Sequence, residues 1–170
     1  MNVQKQTPAS PYRLEKAREE EIGRVAELYH SAIGRPFCPW NELYPTVEEA
    51  RDDWEHSGLY VLKNGNAVAG AVSVYWKNEW DGLDCWQFRA GTVREIGRIV
   101  IAPEETGKGL SRTMLCALFD RLKNDGANCV RLLVGIGNEP AIGLYRSLGF
   151  HFRGRTEMYD AQYFACEKEL

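Results

Sequence analysis

No apolar run in the 170 residues approaches the ~18 that a membrane-crossing helix needs. The opening segment MNVQKQTPASPY lacks the apolar core of a secretory signal, so no leader is expected. The five cysteines (Cys38, Cys85, Cys116, Cys129, Cys166) are odd in number and form no C-x-x-C pair. His30, His56 and His151 have no metal-ligand spacing to them or to each other. A disulfide framework and a zinc site are both excluded, and reduced thiols in a cytoplasmic protein fit best. There is no basic surplus either: net charge is −3 and the pI about 5.7, against the basic face of a nucleic-acid binder. Repeats and low-complexity tracts are absent.

What remains is an ordinary globular composition, 44% hydrophobic and 26% charged, long enough for one domain with a real core. Charge is uneven. Residues 1–56 hold 7 basic and 11 acidic side chains, a surplus that fits a solvated helix face or the attraction of a cation.

Residues 1–11 are expected as a tail and 12–170 as the domain. Hydrophobic spacing predicts a strand over 12–17 and a helix over 19–33, with Ile22, Val25, Ala26, Tyr29 and Ile33 on one face. The loop 35–45 carries aromatics that either seal the domain or line a pocket. Thr46-Val47-Glu48-Glu49 is a capping box opening a helix over 46–56. Its apolar side is Val47, Ala50 and Trp54, with Asp53 among the solvated acids. Strands over 59–63 and 68–75 flank Asn64-Gly65-Asn66, a hairpin signal. After a polar, aromatic loop at 77–92 come a strand (93–101), a helix (110–123), a buried strand (130–134), a short helix (139–147) and two last strands (150–158, 163–167). This order predicts an α/β domain with an antiparallel front half.

Two stretches carry chemistry. In Ile99-Val100-Ile101-Ala102-Pro103-Glu104-Glu105-Thr106-Gly107-Lys108-Gly109-Leu110-Ser111, an apolar strand passes into a helix whose start holds two glycines. Unpaired N–H groups there, with no Cβ in the way, suit a phosphate; the same glycines also serve a tight strand-to-helix turn. A nucleotide P-loop fails because position 102 is Ala and Gly109 follows the lysine, and a dinucleotide fingerprint fails at Arg112. In the second stretch, Asn138 is an N-cap before Pro140, and Ala141, Leu144, Tyr145 and Leu148 share a helix face. Tyr145 there is a packing residue or a proton donor.

Together, the strand–x-x-G-x-G–helix and the N-x-x-A-x-x-L-Y-x-x-x-G-F that follows resemble the GNAT N-acetyltransferases. The likeness is strongest over 93–153 and looser over 12–170. It implies a single α/β GNAT-like domain: a mixed, mostly antiparallel twisted sheet of six to seven strands with about four helices. It implies transfer of acetyl from acetyl-CoA to an amine, with no metal. The amides of Thr106, Gly107, Lys108, Gly109, Leu110 and Ser111, with Arg112 nearby, would hold the CoA diphosphate. The main chain of Ile99 and Ile101 would pair with the pantetheine, Val100 between them would line the cofactor, Asn138 would contact it and Tyr145 would sit by its sulfur. The family usually carries Gln or Arg where this chain has Glu104. That carboxylate suits a diphosphate only if it points to solvent, with Lys108 and Arg112 as the offsetting charges.

Acyl transfer needs a base, an oxyanion donor and an acid for the leaving thiolate. Tyr145 is the expected acid and a strand N–H near Ile99 the donor. Glu95 is the expected base, since alternation puts 95, 97, 99 and 101 on one face unless a bulge intervenes. Its alternative is a solvated strand start paired with Arg94 or Arg98, with Glu79, Asp81 and Asp84 in reserve. No cysteine is placed as a nucleophile, so direct transfer is expected. The acceptor site is expected from 35–56 and 77–92, with Trp40, Tyr44, Trp80 and Asp84 as contacts. The acidic stretch at 42–55 suggests a cationic small amine; a peptide amine and a non-turning-over acyl-CoA sensor are the alternatives. The expected partners are that amine, without nucleic acid or membrane, and a homodimer is left open.

Overall fold

Among the described residues, seven strands form one mixed sheet in the order β1-β2-β3-β4-β5-β7-β6. The computed structural model describes residues 10–77, 79–158 and 160–170. The strands are β1 (Tyr12–Lys16), β2 (Leu59–Asn64), β3 (Ala67–Tyr75), β4 (Val93–Ile101), β5 (Cys129–Gly135), β6 (His151–Met158) and β7 (Ala161–Glu169). The helices are α1 (Ile22–Ala32), α2 (Val47–Glu55), α3 (Leu110–Asn124) and α4 (Glu139–Ser147). Neighbouring strands are antiparallel except β4 and β5. The expected single α/β domain, with its mostly antiparallel sheet and four helices, is what this chain forms. Residues 1–9 of the expected tail lie outside the described residues.

Local chemistry sets the boundaries. Thr46 caps α2 by accepting from the Glu48 N–H at 3.2 Å, while Glu49 Oε2 accepts from the Thr46 N–H at 2.6 Å. Glu19, Glu20 and Glu21 form a short 3-10 turn ahead of α1 rather than its first turn. Glu21 is turned inward onto Lys63 Nζ at 2.8 Å and the Arg18 N–H at 2.9 Å, so α1 begins at Ile22. In α3 the side chains at 110, 114, 115, 118, 119 and 122 form the buried stripe.

The helices cover both faces. Leu110, Met114, Leu118, Ile142 and Tyr145 of α3 and α4 share a core with Leu62, Val72, Ile96 and Leu132. On the other face Val25, Leu28, Tyr29 and Ala50 of α1 and α2 pack on Val61, Ala71 and Val100. Burial of this many aliphatic side chains, at roughly 1.5–3 kcal/mol each, is the main force holding the layers.

Two irregularities position the site. β4 and β5 pair only through Val93↔Cys129, Arg94↔Val130 and Glu95↔Arg131, then diverge. Against β3, Gly97 pairs with Ser73 and Val100 with Ala71, which leaves Arg98 and Ile99 together opposite Val72 as a bulge. Arg98 takes a φ of 47°, uncommon for a residue with a side chain. The expected common face for 95, 97, 99 and 101 therefore ends at the bulge. Ile99 and Ile101 pack with the α3–α4 core, whereas Val100 joins the α1–α2 core.

Candidate active site

The divergence of β4 from β5 opens a cleft of about 560 Å³. Its walls are β4 from Ile96 to Ile101, β5 from Leu132 to Gly135, residues 35–40, and Ala141, Leu144 and Tyr145 of α4. Thr106, Ser111 and Asn138 stand where α3 and α4 begin, and Ala161 and Tyr163 of β7 complete the lining. A hollow of about 610 Å³ also lies by β1 and the β2–β3 turn, but its Lys63 is matched by Glu21 and Glu15 and no catalytic grouping converges there.

The α3 end of the cleft is an open, glycine-flanked helix start. Gly107 and Gly109 have φ values of 79° and 73°, and Gly109 is the N-cap of α3. Apart from the adjoining residues of the chain, no described atom lies within 4 Å of where a Cβ on either glycine would stand. The first N–H groups of α3 have no intrahelical partner and point outward beside that open space. Glu104 does not oppose this: its carboxylate is held by Arg24 of α1 at 3.0 Å. Lys108, one of the two expected offsetting charges, also feels the Glu104 charge. Lys108 pairs with Glu105 at 2.6 Å, and Arg112 donates to the Ser147 hydroxyl.

Along β4, the Ala102 N–H donates to the Ala69 carbonyl. By alternation Val100 spends its main-chain groups on β3, and Ile101 turns its own toward the cleft. The Ile101 carbonyl already accepts from Arg35 Nη1 at 3.1 Å. Ile99, Val100 and Ile101 all stand on the cleft wall. Asn138 caps α4 by accepting from the Ala141 N–H at 3.2 Å. Tyr145 is buried on the wall, its ring edge-on to Phe150 at 5.5 Å. Burial pushes its phenol well above the ordinary range, so it holds its proton at neutral pH.

Glu95 is 2% exposed and stands one residue below the wall, beside Arg131 across the last β4–β5 pair. It is not a solvated strand start. Burial, with the Asp81 carboxyl alongside, pushes its pKa up to about 9 against the pull of Arg131. The folded protein therefore keeps a proton that the unfolded chain releases near 4.5. Stability should therefore fall as pH rises from that value to about 9. Glu95→Gln should remove this slope, which urea unfolding at pH 6 and pH 9 would measure.

The acceptor end differs most from expectation. Trp40 is on the wall, edge-on to Tyr29 at 5.4 Å, and Tyr44 accepts from Arg98 Nε at 3.1 Å. Trp80 and Asp84 are not cleft residues. Trp80 is buried with Trp86 and Ala165 in a separate cluster, and Asp84 is exposed to solvent. The loop 79–92 is drawn onto β5 and β7 instead. Glu167 Oε1 accepts from the Gln87 and Phe88 N–H groups at 3.0 and 3.1 Å, and Arg131 donates to the Phe88 carbonyl at 2.8 Å. Nor do the acids of 42–55 reach the cleft: Glu42, Glu48, Asp52 and Glu55 face solvent, and Glu49 serves the capping box. Asp53, expected with them, is 3% exposed and binds Arg98.

Sequence reasoning missed Arg35, Arg98, Asp53, Ser73 and Tyr163. An arginine inside the apolar run 96–101 and an acid between Ala50 and Trp54 were the available signals for Arg98 and Asp53. Among the described residues, Arg35 and Arg98 are the charged side chains on the cleft wall.

Comparison with known proteins agrees with this geometry. A family model described as "Acetyltransferase (GNAT) family" matches residues 25–150. The L-methionine sulfoximine/L-methionine sulfone acetyltransferase of Pseudomonas paraeruginosa is 26% identical over 139 residues, covering 79% of this chain and 77% of that one. A mycothiol acetyltransferase of Thermobispora bispora is 38% identical over 141 residues, but the chain spans only 46% of that protein. The structure of yncA from Salmonella typhimurium, with its cofactor acetyl-CoA, superposes with a TM-score of 0.73 at 19% identity over 94% of each chain. No described helix is long and apolar enough to cross a membrane, and no described residues group as a metal site. With its family match, its splayed parallel strands and its glycine-opened helix, the chain belongs to the GNAT acetyltransferase family.

Proposed function

We propose that this acetyltransferase moves an acetyl group from acetyl-CoA directly to the primary amine of a small molecule. The observation that carries it is the cleft between β4 and β5, with helix N–H groups at one end and Tyr145 on its wall. The Pseudomonas relative, named for two small amine substrates, and the Salmonella structure with acetyl-CoA support the reading.

In this reading the amides of Gly107 to Ser111 hold the diphosphate. The pantetheine runs along Ile99 and Ile101, displacing or sharing the Arg35 bond to the Ile101 carbonyl. The thiol lies at the far end of CoA from the diphosphate, so the thioester reaches the bulge, where an N–H freed from the ladder at Arg98 or Ile99 faces the developing oxyanion. The amine attacks the carbonyl carbon, the C–S bond breaks, and Tyr145 gives its proton to the leaving thiolate. Asn138 contacts the cofactor beside α4. Glu95 takes the ammonium proton by way of water, because its carboxyl stands below the wall.

A base whose pKa is near 9 is charged only toward alkaline pH. The value of kcat/KM should therefore climb with pH up to about 9, and Glu95→Gln should lower it and keep only the rise set by the acceptor's own amine. A wild-type profile in that variant would remove Glu95 from the reaction. The reading as a whole is tested by incubating the protein with acetyl-CoA and a panel of amines, following free thiol and N-acetyl products by mass spectrometry. Acetyl-CoA alone should leave no acetyl adduct on the protein; an adduct on Cys38, which stands on the wall, would replace direct transfer with an acyl-enzyme route.

A further inference from the structure

Arg98 is more constrained than a wall residue needs to be. Its Nη1 donates to both oxygens of Asp53, at 2.8 and 2.7 Å, and its Nε donates to the Tyr44 hydroxyl at 3.1 Å. The guanidinium lies 5.2 Å from the ring centre of Tyr44 and 5.4 Å from that of Tyr75. Asp53 is itself fixed by the Ser73 hydroxyl at 2.5 Å. The bulge and its φ of 47° turn this side chain out of the β4 ladder toward α2 and into the cleft lining. A guanidinium whose Nε and Nη1 are already bonded, and which lies close to two rings, loses little freedom when its remaining nitrogen, Nη2, meets a ligand. Among the described residues no acidic side chain lines the cleft, and Asp53 lies behind Arg98 at 3% exposure.

Resting on the acetyl-transfer reading above, we infer that Arg98 receives a carboxylate on the acceptor, so that the substrate class is an amino acid rather than a polyamine or other purely cationic amine. Guanidinium and carboxylate match in shape and charge, and such a bond is worth more than a neutral one. The bulge that presents Arg98 is also where the thioester arrives. In an α-amino acid the amine and carboxylate share one carbon, so binding the second at Arg98 delivers the first to the thioester carbon. The acceptor thus carries an anion beside its ammonium, which the acidic stretch 42–55 did not suggest.

The test compares each L-amino acid with its own amide at fixed acetyl-CoA, using the unmodified protein. The amide keeps the side chain, loses the anion and has a less basic amine, so rates are compared per unprotonated amine at one pH. The expected result is kcat/KM at least about tenfold higher for the acid, carried by KM, for the side chain the enzyme prefers. In Arg98→Gln the acid-to-amide ratio should fall toward one, and Arg98→Lys should restore part of it. Equal rates for acid and amide in the unmodified protein, or faster amides, overturn the inference while leaving acetyl transfer in place. If acids and amides alike go unacetylated while acetyl-CoA binds by calorimetry, the transfer reading fails, and this one with it. The wild-type comparison decides even if loss of the Asp53 partner prevents a variant from folding.

Discussion

Gly109→Val should give a folded domain that no longer binds CoA, with a dissociation constant raised at least about 100-fold. Two effects combine. Gly109 has a φ of 73°, a region that a β-branched residue enters only at a cost of about 1–3 kcal/mol. Relief of that strain rotates the first turn of α3 and its N–H groups. The new methyls would also occupy space that, apart from the adjoining residues of the chain, no described atom fills within 4 Å of the Cβ position, the space a diphosphate needs. The fold should survive, because α3 is anchored by Met114, Leu115 and Leu118, all at 0% exposure, well inside the helix. Gly109→Ala separates the two effects: it carries the strain with a single methyl and should weaken binding less. Calorimetry with CoA, beside a thermal melt, reads both. Unchanged affinity in a cooperatively folded valine variant would mean that the diphosphate is held elsewhere.

What the sequence disclosed was the part of the site written in contiguous residues. The strand 93–101, the two glycines and the stripe at 110–122 are each set by neighbours within one element, so periodicity and turn chemistry located them. The same holds for Asn138, whose capping bond reaches only to residue 141. The acceptor end depends on contacts between distant residues. The loop 79–92 goes to β5 and β7 because of Arg131 and Glu167, 43 and 80 residues away from their loop partners. No local pattern could show that Trp80 and Asp84 would follow it out of the cleft. The bulge at Arg98 and Ile99 is a single extra residue in one strand, invisible to alternation, yet it reverses which of residues 95 to 101 share a face. Asp53 was hidden in a run of acids whose other members do face solvent. Its burial follows from Arg98 standing opposite it, 45 residues on.

Tyr145→Phe should lower kcat by about 10²-fold and leave the CoA dissociation constant where it was. The ring's contribution is packing: it is buried, edge-on to Phe150 at 5.5 Å, and the α4 stripe holds it against the sheet. Phenylalanine keeps that packing, so the melting temperature should hardly move. What disappears is the hydroxyl proton. A simple thiol has a pKa of about 8.5, so the departing thiolate is a better leaving group when protonated as the C–S bond breaks. Burial holds the Tyr145 phenol above its ordinary range, and the group stays protonated through any practical assay pH. The rising limb should therefore persist in Tyr145→Phe at a uniformly lower level, whereas Glu95→Gln keeps only the part set by the acceptor's own amine. The two roles are in this way separable by the shape of the pH profile as well as by its height. Single-turnover mixing of the acetyl-CoA complex with the acceptor would show whether the loss is in the chemical step, as expected for an acid, or in product release. A Phe variant with wild-type kcat would leave Tyr145 as a core aromatic and require the thiolate to take its proton from solvent.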